Sequence, residues 1–366
     1  MTHDHTVLVL QGGGALGAYQ AGVYEGMVEQ GFAPDWVTGV SIGAINGALI
    51  AGNRAEHRLE RLREFWNRVS SGLPWNPLAQ LAPLRAGFNR FNALAAATFG
   101  VPGFFSPRIP PAVFALDGTP EALSIYDTSP LRRTLDELID FNFLNREERV
   151  RLSIGSVNVR TGNSIYFDNR ERTLGADHIM ASGSLPPGFP PVMIEGEHYW
   201  DGGIVSNSPL WYVMDDSPSL NALIVQVDLF SARGEIPANL DQVLEREKDI
   251  QYSSKTRSNT KRVQEMAKLR IALSRLMEKL PPALHDDPDY KLLQAELGQQ
   301  RHVTIAHLIN RRFAHSANSK DYEFSRDTVR ELWQAGLDDM RRTCAHRDWL
   351  NATEVESGVR VVDLAR

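Results

Sequence analysis

The sequence contains very little cysteine and no long apolar segment. Its 366 residues include one cysteine, Cys344, so neither an internal disulfide nor a cysteine-based zinc site is possible. The most apolar window, residues 39–52, contains Asn46 and is too short to span a bilayer. The first residues lack the basic start and apolar stretch of a signal peptide. We therefore expect a cytoplasmic protein whose membrane contact is at most peripheral.

The sequence also lacks an excess of basic residues. Lys and Arg number 39 against 45 Asp and Glu, which gives a formal net charge of −6. A general nucleic-acid binder carries the opposite balance, so no nucleic-acid partner is expected. Hydrophobic residues make up 42% and charged residues 23%, an ordinary globular composition that permits a packed core.

Strand-like and helix-like segments alternate at the start of the chain. Residues 6–10 and 36–40 have the composition of short buried strands, and residues 18–30 and 42–51 follow them as helices. This βαβα order is typical of an α/β fold with a mainly parallel sheet covered by helices. Later strands are predicted at residues 152–159, 164–167, 192–194, 198–200 and 222–230.

The rest of the chain contains a long insertion and an extension. Residues 72–125 precede a helix predicted to start near Pro130, and they are rich in proline and phenylalanine. An insertion of this length is typical of a lid or binding loop, and a small helical layer with its own packing fits equally well. The hydrolase-like core should end near residue 232 and the character of the sequence changes from Asn239 onward, so we predict two parts: residues 1–232 and a mostly helical extension, residues 233–366.

A serine lies at the junction between the second strand and the second helix. Gly39 and Gly43 flank Ser41 in a G-x-S-x-G pentapeptide. At a sharp strand-to-helix turn the serine hydroxyl is exposed, small neighbours allow the backbone to turn, and the helix N-terminus favours developing negative charge. A serine between glycines is often structural, but this context makes Ser41 a candidate nucleophile.

A glycine run lies between the first strand and the first helix. It reads GGGALG and contains Gly12, Gly13, Gly14 and Gly17. Consecutive glycines allow backbone N–H groups to converge on the oxyanion of a tetrahedral intermediate, so an oxyanion hole is predicted here. The letters also fit a dinucleotide fingerprint, but that site needs an acidic residue after the second strand, where Ser41 stands instead.

An aspartate follows the strand predicted at residues 198–200. Gly202 and Gly203 come directly after Asp201 and leave its carboxylate open to approach. A triplet of this kind is usually a turn. Within hydrogen-bond reach of a serine, however, the same carboxylate can orient the hydroxyl and accept its proton.

Together these three motifs resemble the patatin-like phospholipase family. Residues 181–186 and 207–209 resemble it as well, and the likeness covers about residues 6–230. It implies a three-layer α/β/α fold for an acyl hydrolase domain at residues 1–232, and hydrolysis of lipid esters by a Ser–Asp dyad without histidine. Many relatives carry Arg or Lys where this chain has Leu16, which weakens the case for a phospholipid substrate. The extension looks like that of one bacterial subgroup.

The expected reaction forms an acyl-serine. Ser41 attacks the ester carbonyl while Asp201 takes its proton, and backbone amides hold the oxyanion. Neither a metal nor an organic cofactor is required. The predicted oxyanion donors are Gly12, Gly13, Gly14 and Ile42. The predicted supporting glycines are Gly17, Gly39, Gly43, Gly202 and Gly203. The predicted wall for the acyl chain consists of Phe88, Phe91, Phe99, Phe104 and Phe105.

Other functions fit parts of this pattern. A Ser-His-Asp esterase shares the serine motif but requires a histidine after the acid, and the candidates are His285, His302, His307, His315 and His346. A thioesterase or polyester hydrolase uses the same dyad chemistry. A non-catalytic lipid- or membrane-binding protein retains the fold, although it has no need for the serine, the aspartate and both glycine runs.

A basic amphipathic segment lies in the extension. Residues 255–279 contain eight basic and two acidic residues. A narrow apolar seam runs through this region at Met266, Leu269, Leu273, Leu276 and Leu280. The favoured interpretation is that the seam packs on the core, as amphipathic helices usually do. The alternatives are a homo-oligomer paired through residues 266–280 and peripheral contact with an anionic membrane.

Overall fold

A large sheet forms the centre of the computed structural model, which describes residues 3–72, 82–146, 150–216, 221–253, 256–297, 303–311, 320–345 and 358–363. The strands are β1 (His5–Leu10), β2 (Trp36–Val40), β3 (Ser106–Pro107), β4 (Tyr126–Asp127), β5 (Arg151–Asn158), β6 (Ser164–Asp168), β7 (Val192–Ile194), β8 (Glu197–Asp201), β9 (Ala222–Asp228), β10 (Val303–Ile309) and β11 (Val359–Val362). The helices are α1 (Ala18–Glu29), α2 (Ile42–Ala51), α3 (Arg58–Val69), α4 (Ala82–Phe99), α5 (Ser129–Leu138), α6 (Phe141–Leu144), α7 (Ala176–Ser182), α8 (Leu210–Asp216), α9 (Leu240–Tyr252), α10 (Thr256–Met277), α11 (Pro288–Leu297) and α12 (Arg326–Ala345).

Parallel pairing dominates the sheet. The strand order is β11-β10-β9-β1-β2-β5-β8-β7, and β6 also pairs with β5. Every neighbouring pair from β11 to β5 is parallel, whereas β5, β6, β7 and β8 pair with one another antiparallel. A separate antiparallel ribbon joins β3 to β4. The predicted mainly parallel α/β fold is confirmed. β2 and α2 have the predicted bounds, and the other predicted strands of the first 230 residues differ by at most two residues at an end.

Helices cover both faces of this sheet. Because side chains alternate along a strand, Leu8 and Leu10 of β1 face a cluster that includes residues of α1, α2 and α12. Val7 and Val9 face the opposite side, where residues of α8 and α10 pack. The apolar window that contains α2 is therefore a buried core helix. None of the described helices combines the length and apolar composition needed to cross a membrane.

The extension completes the sheet. β10 pairs with β9 and β11 pairs with β10, so two strands of the extension continue the parallel order. α12 packs closely on α1, since a Cβ on Gly22 would lie 1.9 Å from the Trp333 carbonyl oxygen and a Cβ on Gly336 would lie 2.0 Å from that of Tyr19. The boundary predicted near residue 232 thus divides the sequence, while the described parts on either side share one sheet.

The apolar seam on α10 faces away from the core. Met266, Leu269, Leu273 and Leu276 are between 38% and 58% exposed, whereas Val263 and Met277 on the same helix are buried. The interpretation that the seam packs on the core is therefore wrong, because a different face of α10 carries the buried contacts. Pairing with a second subunit and contact with a membrane stay predictions.

Candidate active site

Ser41 occupies a strained turn between β2 and α2. Its φ of 56° lies in the left-handed region that residues other than glycine rarely adopt. The flanking glycines make the turn possible: a Cβ on Gly39 would lie 2.3 Å from the Gly43 carbonyl oxygen. A Cβ on Gly43 would lie 2.4 Å from the Leu10 carbonyl oxygen. The turn places Ser41 at the edge of a cleft, as a nucleophile requires.

Ser182 of α7 supports this turn. Its buried hydroxyl accepts a hydrogen bond from the Ser41 backbone N–H, at 2.9 Å, and donates one to the Gly155 carbonyl, at 2.7 Å. Two residues further on, the Ser184 carbonyl accepts a hydrogen bond from the Asp201 N–H, at 3.0 Å. Residues 181–186, part of the family resemblance, thus hold the backbone of both candidate dyad residues.

Strand register brings Asp201 to the serine. On β5, Gly155 pairs with Val40 at the end of β2, and the next residue, Ser156, pairs with Asp201 at the end of β8. The two candidate residues therefore reach the same point of the sheet from opposite sides of β5. This proximity depends on tertiary pairing and is invisible in either motif alone.

The Asp201 carboxylate is buried and hydrogen-bonded. It accepts a hydrogen bond from the Gly203 N–H at 2.7 Å, and the Ser41 hydroxyl lies beside it and stabilises its ionised form. Burial raises its pKa to about 6, and these two stabilising contacts oppose the rise. The group is ionised at neutral pH yet more basic than a solvated aspartate, which suits a general base.

Asn207 connects the loop after Asp201 to the glycine run. Its Nδ2 donates hydrogen bonds to the carbonyl oxygens of Gly12, at 3.1 Å, and Tyr252, at 3.0 Å. The Asn207 carbonyl in turn accepts the Gly12 N–H at 3.3 Å. The assignment of Gly12 as an oxyanion donor therefore needs correction: its N–H is engaged in holding the loop.

The remaining predicted donors, Gly13, Gly14 and Ile42, line the cleft. Across the described residues, their backbone N–H groups have no backbone acceptor. Gly14 has a φ of 55°, and a Cβ on it would lie 2.3 Å from the Asp321 carbonyl oxygen. Only glycine fits this position, and three amides remain available to a ligand in the cleft.

Two supporting glycines allow close packing around the site. A Cβ on Gly17 would lie 2.4 Å from Cγ1 of Ile42, and a Cβ on Gly202 would lie 2.6 Å from the Gly155 carbonyl oxygen.

Leu16, which replaces the basic residue of many relatives, is buried in the core cluster and does not line the cleft.

Eight aromatic side chains are among the residues that line the cleft, whose volume is about 80 Å³. Phe104 and Phe105 of the insertion lie in its wall. Phe88 is outside the wall, and Phe91 and Phe99 are 61% and 79% exposed. The predicted acyl wall is therefore wrong for these three residues of α4. The aromatic residues that the sequence did not single out are Tyr126, Phe189, Phe230, Tyr252, Tyr322 and Phe324.

The extension supplies one side of the cleft. Tyr252 ends α9, and Asp321, Tyr322 and Phe324 come from the short segment before α12. No sequence motif marks these residues as part of the site, because no local pattern shows that an aromatic side chain faces a particular cavity. Their position makes the extension part of the candidate site.

Two ion-paired lysines hold this segment in place. Lys248 donates to the Asp321 carboxylate at 2.6 Å, and Lys320 donates to Glu245 at 3.2 Å and to Asp249 at 2.6 Å. We call these five residues the clasp. The clasp therefore joins α9 to the segment that rests on the glycine run.

Among the described residues, no histidine lines the cleft. His285 stacks on Tyr290, and His307 is hydrogen-bonded to Gln226 on β9. The other candidates for a Ser-His-Asp arrangement lie outside the described residues: His302, His315 and His346.

Two family models match the chain. A model described as patatin-like phospholipase matches residues 8–214, and one described as patatin phospholipase matches residues 250–356. In general terms these matches support the class of lipid ester hydrolases. Because the first model covers more than half of the sequence, the chain belongs to the patatin-like phospholipase family.

Individual proteins provide little further information. No curated protein matches the chain. Among solved structures, the crystal structure of VipD from Legionella pneumophila is similar over 91% of this chain and 67% of that chain, with 15% sequence identity and a TM-score of 0.34. The family assignment thus depends on the two family models.

Proposed function

We propose that the protein is a serine acyl hydrolase that cleaves carboxylic esters of lipids, with Ser41 as nucleophile and Asp201 as general base. The observation that carries the proposal is the position of the Ser41 hydroxyl beside the buried Asp201 carboxylate, in a cleft lined by aromatic side chains. The aromatic wall suits an acyl chain, and family membership supports a lipid ester as the substrate.

The reaction proceeds through two acyl transfers. The Ser41 oxygen attacks the ester carbonyl while its proton passes to Asp201, and the amides of Gly13, Gly14 and Ile42 stabilise the oxyanion. The tetrahedral intermediate then breaks its bond to the alcohol oxygen, which leaves with the proton from Asp201. Water repeats the sequence on the acyl-serine: Asp201 accepts its proton, the carboxylic acid leaves and Ser41 recovers its hydrogen.

The direct test is hydrolysis of p-nitrophenyl butyrate by Ser41→Ala and Asp201→Asn. Each variant is expected to lose activity by more than about 1,000-fold, since it lacks the nucleophile or its base. The controls Ser71→Ala and Asp136→Asn alter exposed residues and should retain activity. Full activity in either dyad variant, with folding unchanged, would remove the dyad from consideration.

The class of lipid needs a separate experiment. Phospholipase A, lysophospholipase, thioesterase and polyester hydrolase activities all pass through the same acyl-serine. Mass spectrometry of the adduct trapped on Ser41 after incubation with a cell lipid extract identifies the acyl group. A protein that binds vesicles and releases no acyl product would instead be a lipid-binding member of the fold.

A Ser-His-Asp mechanism is the second candidate for the chemistry. The position of the Asp201 carboxylate beside Ser41 favours the two-residue mechanism, because no imidazole of the described residues lies in the cleft with them. Alanine substitutions at His302, His315 and His346, made one at a time, are expected to preserve ester hydrolysis. Loss of activity in one of them, in a folded protein, would favour the rival.

A further inference from the structure

We propose that residues 109–125, which we call the docking loop, seat the cleft on a lipid surface that carries no net charge. The inference rests on the lipid ester hydrolysis proposed above and adds the kind of surface from which the substrate is drawn. It places membrane contact on the insertion, whereas the sequence directed attention to α10.

The docking loop exposes large apolar side chains. Ile109 is 94% exposed, Val113 83%, Phe114 76% and Leu116 79%. Single exposed apolar residues are ordinary on protein surfaces, but a cluster within one loop is typical of an interaction surface. The four side chains occupy eight consecutive positions. These side chains therefore form a surface that can insert into a partner with an apolar interior.

The loop has a defined shape even though it exposes these side chains. Residues 112–114 and 120–123 form 3-10 turns. The Phe114 N–H donates to the Pro111 carbonyl at 2.9 Å, inside the first of these turns. A proline-rich, internally hydrogen-bonded loop loses less conformational freedom on binding than an open chain. Its apolar side chains are thus presented by a preformed scaffold.

The loop begins and ends at the wall of the cleft. β3 and β4 pair at its base, and Phe105 and Tyr126 on either side line the cleft. The Ile125 and Tyr126 N–H groups donate to the carbonyl oxygens of Pro187, at 3.1 Å, and Gly188, at 2.9 Å. A surface bound by the loop is therefore held next to the candidate dyad.

Charge indicates which surface the loop fits. Residues 109–125 contain Asp117 and Glu121, both exposed, and neither Lys nor Arg, while Arg108 immediately precedes them and donates to the Ser124 hydroxyl. No Lys or Arg of the described residues lines the adjoining cleft, where Asp201 is buried and Asp321 is paired with Lys248. The exposed acidic groups of the loop disfavour an anionic leaflet, which attracts basic segments. Uncharged or zwitterionic headgroups fit, because they allow apolar insertion without repulsion.

Binding is tested in the Ser41→Ala background, so that docking is measured without turnover. Flotation with phosphatidylcholine vesicles is compared before and after Val113→Ser, Phe114→Ser and Leu116→Ser are combined. We expect affinity to fall at least about tenfold, since three inserting side chains are lost. The matched control combines Met266→Ser, Leu269→Ser and Leu276→Ser, which removes three exposed apolar side chains from α10, and should bind like the parent.

Activity gives a second reading with Ser41 intact. For each protein, the rate on vesicle lipid is divided by the rate on soluble p-nitrophenyl butyrate. We expect this ratio to be at least about tenfold lower for the triple loop variant than for the parent. Phe114→Asp alone replaces the triple variant if the latter does not fold. Retention of ester hydrolysis by Ser41→Ala would overturn the proposed function while leaving the binding result interpretable.

Three results would overturn the docking proposal. The first is equal binding of the loop variant and the α10 variant to phosphatidylcholine vesicles. The second is a preference of the parent for phosphatidylglycerol vesicles. The third is a dimer in sedimentation that the loop variant abolishes, with neither protein binding vesicles, which would make the loop a subunit interface.

Discussion

The carbonyl oxygen of Asp321 lies 2.3 Å from the position that a Cβ on Gly14 would occupy. Gly14 belongs to the glycine run near the start of the chain, and Asp321 belongs to the extension. The two segments therefore shape one wall of the cleft together.

Gly14→Ala is expected to lower ester hydrolysis by about 100-fold or more, because the glycine run must shift and one oxyanion amide leaves its position. Both its φ of 55° and the nearby Asp321 carbonyl oppose a side chain. Gly31→Ala is the matched control, since Gly31 also has a positive φ, 80°, but a Cβ there would meet nothing within 4 Å. Steady-state kinetics of both variants separate the close contact from backbone strain. Equal activity in the two would contradict the role given to Gly14.

The pH dependence of hydrolysis should reflect Asp201. Its pKa is raised to about 6, mainly by burial, and the base is functional only when ionised. With an ester that does not titrate, kcat/KM is therefore expected to fall tenfold per pH unit well below pH 6 and to level off above it. A profile that stays flat from pH 4.5 to 8 would exclude Asp201 as the general base.

Stability should have the opposite dependence on pH. The unfolded carboxyl has a pKa near 3.8 and the folded one near 6, so between these values the folded state retains a proton that the unfolded state releases. The free energy of unfolding therefore falls as pH rises through this window, by up to about 3 kcal/mol for a shift of roughly two units. Relative to the parent, Asp201→Asn should gain stability between pH 4 and pH 7.5 in urea unfolding. Ser71→Ala, at an exposed position whose side chain does not ionise, should show no such trend.

The residues of the candidate dyad can be predicted from the sequence because each motif carries its own physical requirement. The strained turn at Ser41 demands Gly39 and Gly43 in the same pentapeptide, so the constraint is local and readable. The pairing of Ser41 with Asp201 was inferred from the family resemblance, since the register on β5 that creates it has no local signature.

The residues of the cleft wall are much harder to predict from the sequence. The phenylalanine content of the insertion indicated aromatic contacts, but it did not reveal that Phe91 and Phe99 of α4 face solvent. Tyr252 and Tyr322 reach the cleft only because the extension packs on the sheet and folds over the glycine run. Such long-range placement depends on tertiary packing, which periodicity and spacing do not encode.

Ser182→Ala tests the support beneath the nucleophile. It leaves the Ser41 N–H and the Gly155 carbonyl without their side-chain partner, which is expected to lower stability by about 1–3 kcal/mol and to reduce kcat. Ser184→Ala is the matched control, because that hydroxyl donates only to the Met180 carbonyl within the same stretch. Thermal unfolding and kcat are compared for the two. A larger loss in Ser184→Ala would show that Ser182 does not hold the turn.

The clasp joins two segments that are distant in sequence, so the stability of the protein should depend on its ion pairs. Burial raises the pKa of Asp321 and the ammonium of Lys248 opposes that rise, so removal of the lysine leaves a carboxylate that is costly to ionise. Lys248→Met should therefore lose stability as pH rises, because a folded-state pKa above the unfolded value opposes folding once the group must ionise.

A double-mutant cycle of Lys248→Met with Asp321→Asn should give a coupling energy of about 1–3 kcal/mol in urea unfolding, since the pair is mostly buried. The control cycle uses Lys261→Met and Glu265→Gln, an exposed pair on α10 at 3.6 Å, for which about 0.5 kcal/mol or less is expected. If the two cycles agree within error, the Lys248–Asp321 pair does not fasten the extension over the cleft. A large coupling at the clasp together with reduced ester hydrolysis in Lys248→Met would instead link closure of the cleft to catalysis.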